Sequence, residues 1–213
     1  MLQQWPPLAN RYLRKREEDY VSALCLSTGL GLSIAGLIAL CLLGISNPLL
    51  HVPCIMHSAL CVLSLIVAVL YYSSWGTWIR RRLRKPLHSL VTLCVTSAAI
   101  SSFFASGIPS IFSIAGSFVV GFLALQFVWN RLVRDSQEHD RNEFWFQALI
   151  VTSSTLIGMH VGRSWTDLVP TLLLAVGSIA YAIPYRPWLH AIWHVFAIAA
   201  TIAHYIVMWQ SLT

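Results

Sequence analysis

Apolar runs of about 20 residues, each able to cross the roughly 30 Å hydrocarbon core of a bilayer as one helix, recur along the whole of this chain. In lipid, a backbone must satisfy its own N–H and C=O groups, so runs of this length fold as helices. Reading in windows of about 20 residues gives seven spans, 21–43, 53–75, 87–105, 109–129, 144–161, 168–185 and 189–212. The fifth is the most polar, with Gln147, Thr152, Ser153, Ser154, Thr155 and His160, and is expected to face other helices or a cavity more than lipid. Only 10% of the 213 residues are charged and 57% are hydrophobic, against about 25% charged in an average soluble domain. The expectation is therefore all-α: a multi-pass integral membrane protein with a cytoplasmic segment, 1–20, followed by a seven-helix bundle, 21–213.

The formal charge of +6 raises the question of a nucleic-acid partner, and the placement of the basic residues answers it. With the N-terminus in the cytoplasm, the inner connections hold Arg11, Arg14, Lys15 and Arg16, then Arg80, Arg81, Arg82, Arg84 and Lys85, then Arg131, Arg134 and Arg141, and last Arg186. Of the 14 Lys and Arg, Arg163 alone falls outside. That asymmetry orients the chain with its N-terminus in and C-terminus out, and explains the charge without nucleic acid. The segment 1–20 holds Pro6-Pro7 and a charged run rather than a short apolar core with a cleavage site, so the first span is expected to stay in the membrane.

Trp75, Trp78, Trp129, Trp145, Trp165, Trp188 and Trp209 lie near span ends, where amphipathic rings anchor. Gly29, Gly31, Ala35 and Gly36, with Gly116, Gly121, Gly177 and Ala180 further on, are expected to let helices approach closely. Cys25, Cys41, Cys54, Cys61 and Cys94 are odd in number and have no CxxC spacing. They read as small apolar packing residues, with no disulfide framework or thiolate metal site suggested.

The last span places His190, His194 and His204 within one apolar run. At about 100° per residue, all three share a face. His190 and His194 stack about 6 Å apart along the axis, a spacing at which two imidazoles reach one metal ion. His204 lies about 15 Å beyond His194 and belongs to no such site. The plain alternative is that each hydrogen-bonds to a neighbouring helix. Topology brings the end of the second span (Ser73, Ser74, then Trp78) and the start of the third (His88, Ser89) to the same inner side. His88 with His190 and His194 would make an open, three-imidazole zinc site. His57 and His160 read as local hydrogen-bond partners near the other side, and His51 as part of the first outer loop. No Asp or Glu falls inside any span; Glu17, Glu18 and Asp19 precede the first.

The run His190-Ala-Ile-Trp-His194-Val-Phe, with His204-Tyr205 beyond it, resembles the last span of the haemolysin III family, grouped with the progestin and adipoQ receptors and the alkaline ceramidases. Glu17-Glu18, Gly29-Leu30-Gly31 and the order Ser73-Ser74, basic loop, His88-Ser89 also match. The likeness spans nearly the whole chain in length and order and is specific in the last span. It implies a zinc ion near the cytoplasmic side, held by the two last-span histidines and one closing the second span, with an Asp opening the third. In this chain Trp78 stands at the position of the second-span histidine and Leu87 at that of the Asp, and the usual Thr-His of the first span has no counterpart around Ser27-Thr28. Either His88 replaces the lost ligand, or the chain is a metal-free member.

Three function classes follow. One is a non-enzymatic membrane protein, lipid-binding, receptor-like or membrane-perturbing, with membrane lipids as its partners; a homo-oligomer is compatible with it. The second is a zinc-dependent lipid amide hydrolase of ceramidase type, with His190, His194 and His88 on the metal and Ser74 aiding the developing oxyanion. A b-type haem protein using His204 is the third, although His57 and His160 are expected at poor depths for it. The cell membrane is the expected location.

Overall fold

The computed structural model of the protein describes residues 8–43, 48–105, 110–133, 165–182 and 188–213. They form six α-helices, and the described residues include no strand. These are α1 (Leu8–Leu42), α2 (Pro48–Ser73), α3 (Trp78–Ala105), α4 (Ser110–Val133), α5 (Trp165–Ala182) and α6 (Leu189–Leu212). Among the described residues, Arg16–Leu42, Pro48–Ser73 and Ala191–Leu212 are long and apolar enough to cross a membrane, while Ile114–Trp129 and Leu168–Ser178 are shorter apolar helices. The expected fifth span, 144–161, lies outside the described residues, as do His160 and Arg163.

Where helices outrun the spans read from sequence, they do so at charged or proline-marked ends. α1 has 35 residues, about 52 Å of helix, because the charged run before Val21 continues the same helical turns rather than forming a separate segment. α2 begins at Pro48, a first-turn position where a missing N–H costs nothing. His51 is therefore helical and only 2% exposed, not part of a loop. α3 begins at Trp78, so Arg80 to Lys85 occupy its opening turns rather than a connection. Residues 74–77 make the whole turn between α2 and α3, with Gly76 at φ 73°, a conformation that glycine adopts without strain.

Packing fixes the directions of the helices. Leu26 of α1 meets Ala68 and Tyr72 near the end of α2 and Leu87 in α3. At the opposite end, Leu40 packs with Leu50, Cys54 and Met208. α1 and α2 thus run antiparallel, and α6 runs parallel to α1. That second pairing depends on two glycines. A Cβ on Gly29 would stand 2.8 Å from Ile198 Cγ1, and one on Gly36 2.8 Å from Tyr205 Cε1. Gly31 and Gly121, expected to serve likewise, would meet nothing within 4 Å.

Among the described residues, polar side chains are buried beside apolar ones, while large apolar side chains cover the outside. Ser22, Ser33, Ser58, Thr92, Thr96 and Ser101 are all buried, whereas Phe118 is 75% exposed, Phe122 67% and Ile111 72%. A water-soluble core would invert this, because exposed phenylalanines at that density face water at a large cost. The arrangement suits helices with lipid around them and hydrogen-bonding side chains between them.

Candidate functional site

Among the described residues, two polar centres occur along the bundle. The first lies where α1, α2 and α3 meet beside the 74–77 turn. Asp19 Oδ2 accepts a hydrogen bond from Arg80 Nη1 at 2.6 Å, and Oδ1 accepts one from Nη2 at 3.1 Å. Asp19 is the one buried carboxylate among the described residues. The guanidinium also stands 4.7 Å from the ring centre of Tyr71 and 5.9 Å from that of Tyr72. Burial works against the charge on Arg80, but the Asp19 carboxylate and the Tyr71 hydroxyl more than offset it, and its pKa lies above the ordinary arginine value. Tyr72 also meets His194, ring centres 4.9 Å apart and nearly perpendicular.

This is the end at which the last-span histidines point to zinc. His194 is buried there, and Leu87, at the expected acid position, is also buried and packs on Tyr72. His88, the next residue, is rotated by about 100° around α3 from Leu87. Trp78 is 65% exposed, with Arg82 over its ring at 5.0 Å. Ser74 lies in the turn, its carbonyl taken by the backbone and side chain of Thr77. The side chain of His190 lies outside the described residues. Tyr72 stands beside His194, and Arg80, a permanent cation, takes up the buried Asp19 carboxylate.

The second centre is near the middle of α2, where the sequence suggests packing for the cysteines and a local hydrogen bond for His57. His57, Cys61 and Ser64 follow one another at four- and three-residue steps and so share a face of α2. Cys94, Ser97 and Ser101 do the same on α3, and α6 adds His204 and Tyr205. His57 Nδ1 lies 2.9 Å from Ser97 Oγ. Ser97 donates its single hydroxyl hydrogen to the Cys94 carbonyl at 2.8 Å, so it can only accept from the imidazole. His57 therefore carries its proton on Nδ1 and presents a lone pair at Nε2. Cys61 Sγ is 3.4 Å from that nitrogen and 3.1 Å from Cys94 Sγ. The two thiols and His57 Nε2 thus lie in one short hydrogen-bonded chain, in which either sulfur can donate to the other.

His204 is fixed by the same logic. Ser101 donates to the Ala98 carbonyl at 2.9 Å, so His204 Nε2, 3.0 Å away, is the donor to Ser101. Its ring meets that of His57 edge to face, centroids 4.7 Å apart, which leaves no room for a porphyrin between them. His57 is thus the local hydrogen-bond partner expected of it, at the same depth as His204. The Tyr205 hydroxyl donates to the Ser33 carbonyl at 3.3 Å, tying α6 to α1 beside the cluster.

Among the described residues, His57, Cys61 and Cys94 form the one group of three side chains able to share a metal ion, their ligand atoms all within 4.8 Å of one another. The signal available in the sequence was the His57/Cys61 pair at i and i+4; Cys94 comes from another helix and had none. No protein-family model, curated protein or solved structure matches this chain.

Proposed function

We propose that the chain is a divergent haemolysin III-like membrane protein that works without an enzymatic centre, binding or perturbing membrane lipids in a receptor-like manner. In this reading seven spans cross the cell membrane, with the N-terminus in the cytoplasm and the C-terminus outside. Thirteen of the 14 basic residues then lie on the cytoplasmic side, as bilayer orientation favours. The apolar exterior and the three long apolar helices support the membrane setting.

The observation that carries the non-enzymatic reading is the Asp19–Arg80 pair beside Tyr72 and His194. Zinc hydrolysis uses an open coordination position and a carboxylate that orients a ligand or accepts a proton. At this end the buried carboxylate is held by a guanidinium, and the Leu87 side chain offers no replacement.

The test is amide hydrolysis. The purified protein in mixed micelles with a ceramide and added zinc is expected to release no fatty acid above a protein-free control. Release that His194→Ala abolishes would replace this reading with the hydrolase.

A further inference from the structure

We infer that His57, Cys61 and Cys94 bind one zinc(II) ion in the middle of the bundle, through His57 Nε2 and the two thiolate sulfurs. This inference is separate from the reading of the Arg80 end, and neither needs the other.

The donor set is the first support. Two sulfurs and one imidazole nitrogen already converge, with no carboxylate among them, and soft thiolate with imidazole selects zinc over magnesium or calcium. Their mutual distances are close to those a zinc site requires. Two thiolates bound at about 2.3 Å in tetrahedral geometry stand about 3.8 Å apart. The sulfurs here are 3.1 Å apart as hydrogen-bonded thiols. Side-chain rotation of a few tenths of an ångström opens the pair around an ion.

The second support is the imidazole tautomer. A zinc-bound histidine presents one nitrogen to the metal and donates the other N–H to a fixed acceptor, which sets the ring orientation. His57 has this arrangement before any ion arrives: Nδ1–H to Ser97 Oγ, with Ser97 anchored on the Cys94 carbonyl, and Nε2 facing the thiols. Cys61 and His57 sit one turn apart on α2, and the Cys94 carbonyl and thiol belong to the same residue of α3. The frame is thus helical on both sides.

Charge selects the oxidation state. α2 and α6 contain no Asp, Glu, Lys or Arg, and neither does α3 from Pro86 onward. A dication with two thiolates and a neutral imidazole leaves the site with no net charge, whereas a monovalent ion would leave it anionic in an apolar interior. Binding proceeds with two thiol protons leaving and two Zn–S bonds forming, so one zinc taken up releases two protons. Three protein ligands leave one coordination position open.

The experiment uses the full chain, purified with a non-histidine affinity tag in a nonionic detergent, fully reduced with a phosphine and equilibrated with zinc chloride. Metal analysis is expected to give about one zinc per chain, with about two protons released per ion. The Cys61→Ser/Cys94→Ser variant should hold under about a tenth of that, and His194→Ala should hold the wild-type amount. X-ray absorption at the zinc edge on unmutated protein removes any dependence on how the variants fold, and should show two sulfur neighbours at about 2.3 Å. Zinc retained without the cysteines, or a shell of nitrogen and oxygen alone, would overturn the inference.

Discussion

Asp19 and Arg80 meet in a two-pronged ion pair although 61 positions separate them in the sequence. Through Tyr72 the pair reaches the side of His194, so the end of the bundle at which the last-span histidines suggest a metal is organised around a guanidinium. The planar fork of arginine matches the carboxylate in a way that a lysine would not.

Breaking that pair should destabilise the protein more than removing it whole. The two side chains are 19% and 9% exposed, so the bridge is partly screened. Arg80→Ala, which strands the Asp19 carboxylate, should cost about 2 kcal/mol, below the range for a fully buried pair. Asp19→Leu combined with Arg80→Met should recover much of that loss. Thermal unfolding in detergent across the four proteins of the cycle measures the coupling.

Gly36→Ala should be costly and Gly31→Ala should not. The new Cβ at residue 36 would press on the Tyr205 ring at 2.8 Å, and that ring is held by its hydroxyl on the Ser33 carbonyl. Overpacking of this kind costs about 1–3 kcal/mol. At residue 31 nothing lies within 4 Å, and replacing glycine in a helix interior should stabilise by up to about 1 kcal/mol. Melting temperatures of the two variants, compared in one detergent, separate the outcomes.

The histidine tautomers are open to a direct spectroscopic check. His57 is expected to carry its hydrogen on Nδ1 and His204 on Nε2, each donated to a serine whose own hydrogen is committed to a backbone carbonyl. Long-range proton–nitrogen NMR of ring-labelled protein should report the two rings as opposite neutral tautomers. Ser97→Ala, which leaves the buried Nδ1–H without that acceptor, should cost about 1–3 kcal/mol.

Much of the helical framework was legible because a bilayer-length apolar run has few other ways to fold. The last helix, Leu189–Leu212, matches the expected span at both ends. The shared face of His194 and His204 also followed from helical periodicity, and both turn toward α2. The limits of α1, α2 and α3 were less legible, because hydropathy reports the stretch that lipid accepts and a helix continues beyond it into charged turns. The Cys61–Cys94 contact had no local signal, since it depends on the register of two helices and on which faces they turn to each other. Arg80 read only as one of several orienting charges, because nothing local in the sequence pairs it with Asp19, 61 positions earlier.

Topology gives a prediction of its own. A phosphatase reporter that works only outside the cytoplasm should be active when fused after Thr213 and inactive when fused after Lys85. Activity at both positions or neither would contradict the orientation read from the basic residues.

The most direct measurement of the central claim, that the His194 end is held by the Asp19–Arg80 pair rather than by a metal, is zinc titration of the Cys61→Ser/Cys94→Ser protein, in which the thiol cluster no longer contributes. The account predicts no bound zinc at micromolar ion, and the same for that protein carrying His194→Ala. A tightly held ion in the cysteine-free protein that disappears with His194→Ala would contradict it.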